Sequence, residues 1–257
     1  MVVSWRSVWT GLAIVIAVVT GPHAPVRAAP DRLPGLPRLM FWAWERPEDL
    51  RGLDPERAGV AFLAATYRLS GGTIEAAYRH QPLRVDATTP LMAVVRIDTD
   101  ARNRPALDAD RAHQLAARIA SIRTLRGVRA VQIDFDATRS ERPFYRELLG
   151  DTRQALGTFP LSITALASWC MDDDWIEDLP IDEAVPMLFR MGPVNAEYLV
   201  AGASDRLRAR ACAGAVGIST DEPTPALRGD RRTYVFHPKS WTTEAIARAT
   251  TEVTRWH

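Results

Sequence analysis

Val131-Gln132-Ile133-Asp134-Phe135-Asp136 alternates apolar and polar residues without a break. Side chains alternate across a strand, so Gln132, Asp134 and Asp136 share one face, and Val131, Ile133 and Phe135 share the other. Burying an unpaired charge costs several kcal/mol. A face with two carboxylates therefore opens onto water, a ligand or a partner charge, and the search for function begins there.

The chain has 257 residues, 47% of them hydrophobic and 25% charged, which is ordinary for a globular protein. Residues 1–28 read as a signal peptide: Arg6, an apolar run from Val8 to Val19, then the small-residue site Val26-Arg27-Ala28. The run falls short of the roughly 20 residues a membrane helix needs, so no stable membrane anchor is expected after cleavage. Removing this segment leaves residues 29–257 as a single domain. Arg6 and Arg27 go with it, so the formal net charge falls from +1 to −1. A near-neutral chain of this kind carries no electrostatic footprint for nucleic acid. A periplasmic or secreted monomer is expected. In an oxidising compartment Cys170 and Cys212 either pair or remain as two small buried thiols.

Eight short apolar runs read as strands: Leu39–Trp44, Val60–Tyr67, Leu91–Asp98, Val131–Asp136, Leu161–Leu166, Ala184–Arg190, Ala215–Ser219 and Thr233–His237. Helical spacing covers Asp110–Leu125, Pro143–Leu156 and a last helix from Thr243 to about Arg255, capped by Thr242 or Thr243. A shorter helix is expected at Asp205–Ala211. Strand–helix alternation implies a parallel sheet, and eight such strands point to an α/β fold of the (β/α)8 TIM-barrel type. It should be irregular, because Thr73–Val85 reads as a hairpin and the connection after Trp44 is broken by Pro47 and Pro55.

Sites in such barrels are built from the C-terminal ends of the strands. Those ends carry Trp42, Trp44 and Glu45; Arg96 and Asp98; Asp134 and Asp136; Trp169; Phe189 and Arg190; Asp221 and Glu222; and His237. Several have bland readings. Asp98 and Arg96 form a structural ion pair as readily as a site, Asp221 fits an ordinary turn, and Trp42 and Trp44 serve equally as core aromatics or as sugar platforms. Asp134 and Asp136 have no cheap structural explanation. Neighbouring carboxylates split their pKa values, which suits acid/base chemistry on a glycosidic bond. There is no phosphate-binding glycine loop, no His-x-x-x-His, no Cys-x-x-Cys and no Gly-x-Ser-x-Gly, so neither a cofactor nor a metal is expected.

Met40–Pro47 (MFWAWERP), VQIDFDATRSERPFY, LSITALASWC, DEAVPMLFRMG and GISTDEP together resemble a bacterial family known as domain of unknown function 3142, from about Leu39 to His237. The resemblance implies an exported, barrel-like protein. More distantly, Ile133–Asp136 resembles the fourth strand of family 18 (chitinase-type) glycoside hydrolases, whose pattern is Asp-x-x-Asp-x-Asp-x-Glu. Asp134 and Asp136 match the second and third aspartates; Val131 and Thr138 stand where the first aspartate and the acid glutamate belong, and Glu141 lies three residues too far on. What carries over is the class, a sugar-cleaving barrel.

The resulting expectation is an exported glycoside-hydrolase-like barrel acting on a polysaccharide or glycan. Asp136 is its acid or base and Asp134 tunes it; Glu45 or Glu222 supplies a second carboxylate. Trp42, Trp44, Arg96, Asp98, Trp169, Arg190 and His237 bind substrate. The rival is a carbohydrate-binding or envelope-assembly protein on a barrel that has lost its acid, which Thr138 favours. A divalent-metal transferase using Asp134 and Asp136 ranks third, because export separates it from nucleotide-sugar donors.

Overall fold

The computed structural model describes residues 33–173, 175–191, 207, 209–223 and 231–255; the signal-peptide reading falls outside them. Eight parallel strands close into a barrel. In chain order, the strands of the structure are β1 (Leu39–Ala43), β2 (Glu48–Asp49), β3 (Ala58–Ser70), β4 (Thr73–Tyr78), β5 (Leu83–Arg84), β6 (Leu91–Thr99), β7 (Val128–Asp134), β8 (Leu161–Leu166), β9 (Glu183–Met187), β10 (Ala215–Ser219) and β11 (Arg232–Phe236). The barrel runs β1-β3-β6-β7-β8-β9-β10-β11 and closes by β11 pairing with β1. Each of the eight expected strands is a barrel strand. The short pair β2–β5 forms a separate two-stranded sheet.

The expected irregularity is present. Helix α1 (Ala109–Ser121) follows β6 and α2 (Arg142–Leu156) follows β7. After β8 there is only the short α3 (Ala167–Met171), and α4 (Thr243–Thr254) ends the fold. Asp108 caps α1 by accepting from the Arg111 amide at 3.0 Å, and Thr242 caps α4 through the Ala245 amide at 3.2 Å. Pro143 opens α2 where no helical amide is lost, and Gly157 ends it at φ 62°. Of the expected helix at Asp205–Ala211, Leu207 and Ala209 are not helical and Arg210–Ala211 open a single 3-10 turn, Arg210–Cys212; residues 205, 206 and 208 lie outside the described residues.

Two boundaries differ from expectation. β3 runs thirteen residues, with an irregularity between Leu63 and Ala65, and its far half pairs with β4 as an antiparallel hairpin. β7 ends at Asp134, because no ladder pairing extends past it, so Asp136 sits in the turn just beyond.

The pleat sorts side chains as the VQIDFD alternation requires. Val131, Ile133 and Phe135 are buried under the helices with Leu115, Ile119, Tyr145 and Leu148. The lumen holds Met40, Trp42, Ala61, Leu63, Met92, Val94, Ala130, Val185, Tyr234 and Phe236. Gly217 is small for a packing reason: a Cβ there would meet Met187 Sδ at 2.9 Å. Lower in the lumen, and unforeseen, lies a buried ion pair. Arg232 Nη1 reaches Glu183 Oε2 at 2.5 Å, while Tyr234 and Ser162 hydroxyls donate to Glu183 Oε1 at 2.7 and 3.3 Å. Arg232 also donates to the carbonyls of Leu33, Leu36 and Pro37, fastening the segment before β1 across the barrel floor.

Cys170 and Cys212 are joined as a disulfide with Cα atoms 6.0 Å apart. The Trp169–Trp175 segment makes this possible by folding against the flank. Trp169 and Trp175 meet edge to face at 4.9 Å, and Arg142 stacks on Trp175 while pairing with Asp173 at 2.6 Å.

Candidate active site

The inward rows of β6, β7 and β8 end in polar groups that find one another. Arg96 is in register with Asp134, and its Nη1 donates to Asp134 Oδ2 at 2.8 Å. Its Nε donates to Asp98 Oδ1 at 3.0 Å. The other oxygen of Asp134 accepts from Thr164 Oγ1 at 2.7 Å. Asp134 is 5% exposed, so its charge is buried and fully partnered.

Asp136 is different. It is exposed, and among the described residues no hydrogen bond or ion pair engages its carboxylate. Partial desolvation in the mouth, then the charge of Asp134, push its pKa above the usual aspartate value; Arg96 opposes the rise and Asp98 adds to it. Three carboxylates thus stand around one guanidinium, and Asp136 is the one that Arg96 does not bond.

The opposite arc of the mouth is apolar. Trp42 stacks on Phe236 at 4.3 Å; Trp44 packs on Trp42 at 5.4 Å, and Phe189 on Phe236 at 4.8 Å. Trp44 and Phe189 remain half-buried at the rim, and Leu166, at the end of β8, is 40% exposed. Aromatic faces therefore lie across the mouth from the Arg96, Asp98, Asp134 and Asp136 cluster.

Several expected site residues are used otherwise. Trp42 is 1% exposed and lies in the lumen core, so it supports Trp44 rather than meeting a ligand. Trp169 is buried on the flank against Trp175, because the chain after β8 turns outward. His237 follows the inward Phe236 and so points outward; it stacks on Trp241 at 4.8 Å and bonds Thr220 Oγ1 through Nδ1. Burial, helped by the charge of Arg46, lowers its pKa.

Glu45 is spent on the main chain: its Oε1 accepts from the amides of His80 and Gln81 at 2.8 and 3.0 Å, tying β1 to the return of the β3–β4 hairpin. Glu222 is spent likewise. Both its oxygens accept from the Arg190 amide, at 2.9 and 3.2 Å, where Arg190 adopts the left-handed φ of 54°. Arg190 itself is exposed at the rim and approaches Asp221 at 3.4 Å. Glu141 does not replace the missing acid. Burial would raise its pKa, but hydrogen bonds from Thr99 and Thr138 hold it below the usual glutamate value.

No three His, Cys, Asp or Glu side chains are arranged to hold a metal ion among the described residues. Both oxygens of Asp134 are already engaged, which counts against the metal-transferase reading.

The Glu183–Arg232 pair is the feature sequence reasoning missed. A glutamate opening a strand and an arginine 49 residues later resemble two loop charges, and only barrel closure brings them together. The one signal was their position two residues before the lumen-facing Val185 and Tyr234, on the same face.

The likeness expected from the motifs is found. Residues 87–185, from β6 to the start of β9, match the model of a family described as "Domain of unknown function (DUF3142)". That span contains Arg96, Asp134 and Asp136. No curated protein matches the sequence. Among solved structures, one described as "putative Chitinase A from Streptomyces coelicolor" superposes with a TM-score of 0.50 at 10% identity, over 85% of this chain and 96% of that one. At that identity the likeness is one of fold.

Proposed function

We propose that this glycoside-hydrolase-like barrel acts on a polysaccharide or glycan, with Asp136 as the general acid or base. The observation that carries the reading is the unpartnered carboxylate of Asp136, raised in pKa, beside the fully partnered Asp134. A carboxyl that keeps its proton nearer neutral pH can donate it to a glycosidic oxygen. Asp134, held between Arg96 and Thr164, supplies fixed negative charge toward the positive charge that develops on the sugar. Trp44 offers a partly exposed aromatic face across the mouth, suited to the apolar side of a pyranose. Export to an oxidising compartment is part of the proposal; the Cys170–Cys212 bridge supports it.

The second reading is a glycan-binding or envelope-assembly protein. It is favoured by one observation: Glu45 and Glu222, the nearest spare carboxylates in the sequence, both cap main-chain amides. One experiment separates the two. Release of reducing ends is assayed on a set of soluble polysaccharides with the wild type and Asp136→Asn. Cleavage lost by at least a hundredfold in the variant supports hydrolysis. Cleavage that survives the substitution refutes the role of Asp136, and binding without cleavage by the wild type selects the second reading.

A further inference from the structure

β3 and β6 do not stop at the rim. Past the lumen-facing Leu63 and Val94 they continue as a paired ribbon, widened by β4. Over β3 and β6 its far face is buried, where Tyr67, Leu69 and Ile97 join the core that also holds α1; on β4 the same face is exposed at Ala76 and Tyr78. Arg111 and Arg118 of α1 donate to the carbonyls of Thr73 and Ile74 at 3.1 and 3.3 Å. Glu45 and Arg79 root the return of the hairpin at the end of β1. The ribbon is therefore a tethered wall, packed from behind along β3 and β6.

The near face continues the inward row of Arg96. Register places Ala77, Thr66, Arg96 and Asp134 in one line across β4, β3, β6 and β7. The next line up is Glu75, Arg68 and Asp98. Arg68 and Glu75 are exposed, face each other across the strands, and neither head group is engaged in a hydrogen bond or ion pair among the described residues. With Arg96, Asp98, Asp134 and Asp136 the face carries two arginines against four carboxylates, so its charge turns away a polyanion. Adjacent unengaged donors and acceptors of this kind suit neighbouring hydroxyl groups. Residues 65–70 of β3 span about 17–20 Å, several sugar units in length.

We infer that this wall docks a linear, hydroxyl-rich glycan chain without acidic groups, which runs along β3 and ends at Asp136. The inference rests on the carbohydrate reading above and names its substrate class: a polymer. The test is affinity electrophoresis in gels containing hydroxyethyl cellulose, glycol chitin or soluble xylan. The proteins are the wild type, Asp136→Asn, and the Arg68→Ala, Glu75→Ala double variant, whose folding is checked by thermal unfolding. At least one polymer should retard the wild type and Asp136→Asn alike. The double variant should lose about tenfold in affinity for that polymer (about 1.4 kcal/mol) but less than twofold for its disaccharide. Absence of retardation by all three polymers overturns the proposal, as does a double variant retarded like the wild type. Retardation without cleavage sinks hydrolysis and leaves the wall standing. Cleavage that is indifferent to the double substitution does the reverse.

Discussion

Two acid–arginine clusters occupy the lumen, and they are built to opposite ends. In the lower one, Glu183 meets Arg232, Tyr234 and Ser162, with Gln132 donating to Ser162 at 2.9 Å. Among the described residues one carboxylate meets one guanidinium, both nearly sealed from water, and the arginine also donates to main-chain carbonyls. In the upper cluster Arg96 serves Asp98 and Asp134 and leaves Asp136 unpaired and open to solvent. A balanced, closed cluster holds the barrel's floor to its wall. An unbalanced, open one keeps a charge that the fold does not need, which is the signature of a site.

The largest expected effect tests the closed cluster. Glu183→Ala removes the buried carboxylate that pairs with Arg232 and should cost about 3–5 kcal/mol, read by chemical denaturation. A loss below about 1 kcal/mol would mean that water enters the floor and that the contrast with the mouth is false.

Next comes the bridge. Replacing Cys170 and Cys212 by serine opens a loop of sequence separation 42, worth up to about 4 kcal/mol in the chain-entropy account. Mass spectrometry without reduction should find no free thiol in the purified protein. Two alkylated cysteines would refute the bridge.

Glu222→Ala should cost about 1 kcal/mol by releasing the Arg190 amide, with cleavage changed only modestly. A hundredfold loss of cleavage at unchanged stability would return Glu222 to the role of second carboxylate and weaken the claim that the mouth's spare charge is Asp136 alone.

The sequence carried the barrel because each strand is a separate apolar run, and periodicity needs no partner to be read. The inward face of Asp134 followed from alternation alone. The departures share a cause: they depend on what lies across space. Trp42 and Trp44 share a face, but only depth in the closed barrel makes one core and the other rim. Glu45 and Glu222 looked spare because main-chain amides of distant loops leave no mark near them in the sequence. His237 was misplaced for a simpler reason. Phe236 is the inward residue, so its neighbour had to point outward.

The smallest effect on stability belongs to the residue with the greatest expected effect on function. Because the pKa of Asp136 is raised by folding, the folded state favours its protonated form. The cost of the charge is absent below the usual aspartate range and appears as pH rises through the raised pKa. Glu141, whose pKa is lowered, has the opposite sign and loses its contribution as pH falls. The decisive measurement is therefore thermal unfolding of Asp136→Asn against wild type from acid to neutral pH, with cleavage and polymer binding measured on the same preparations. The account predicts that the variant is as stable as the wild type in acid, equal or more stable at neutral pH, and devoid of cleavage. A variant that unfolds several degrees lower at neutral pH would make Asp136 one more structural partner of Arg96 and contradict the account.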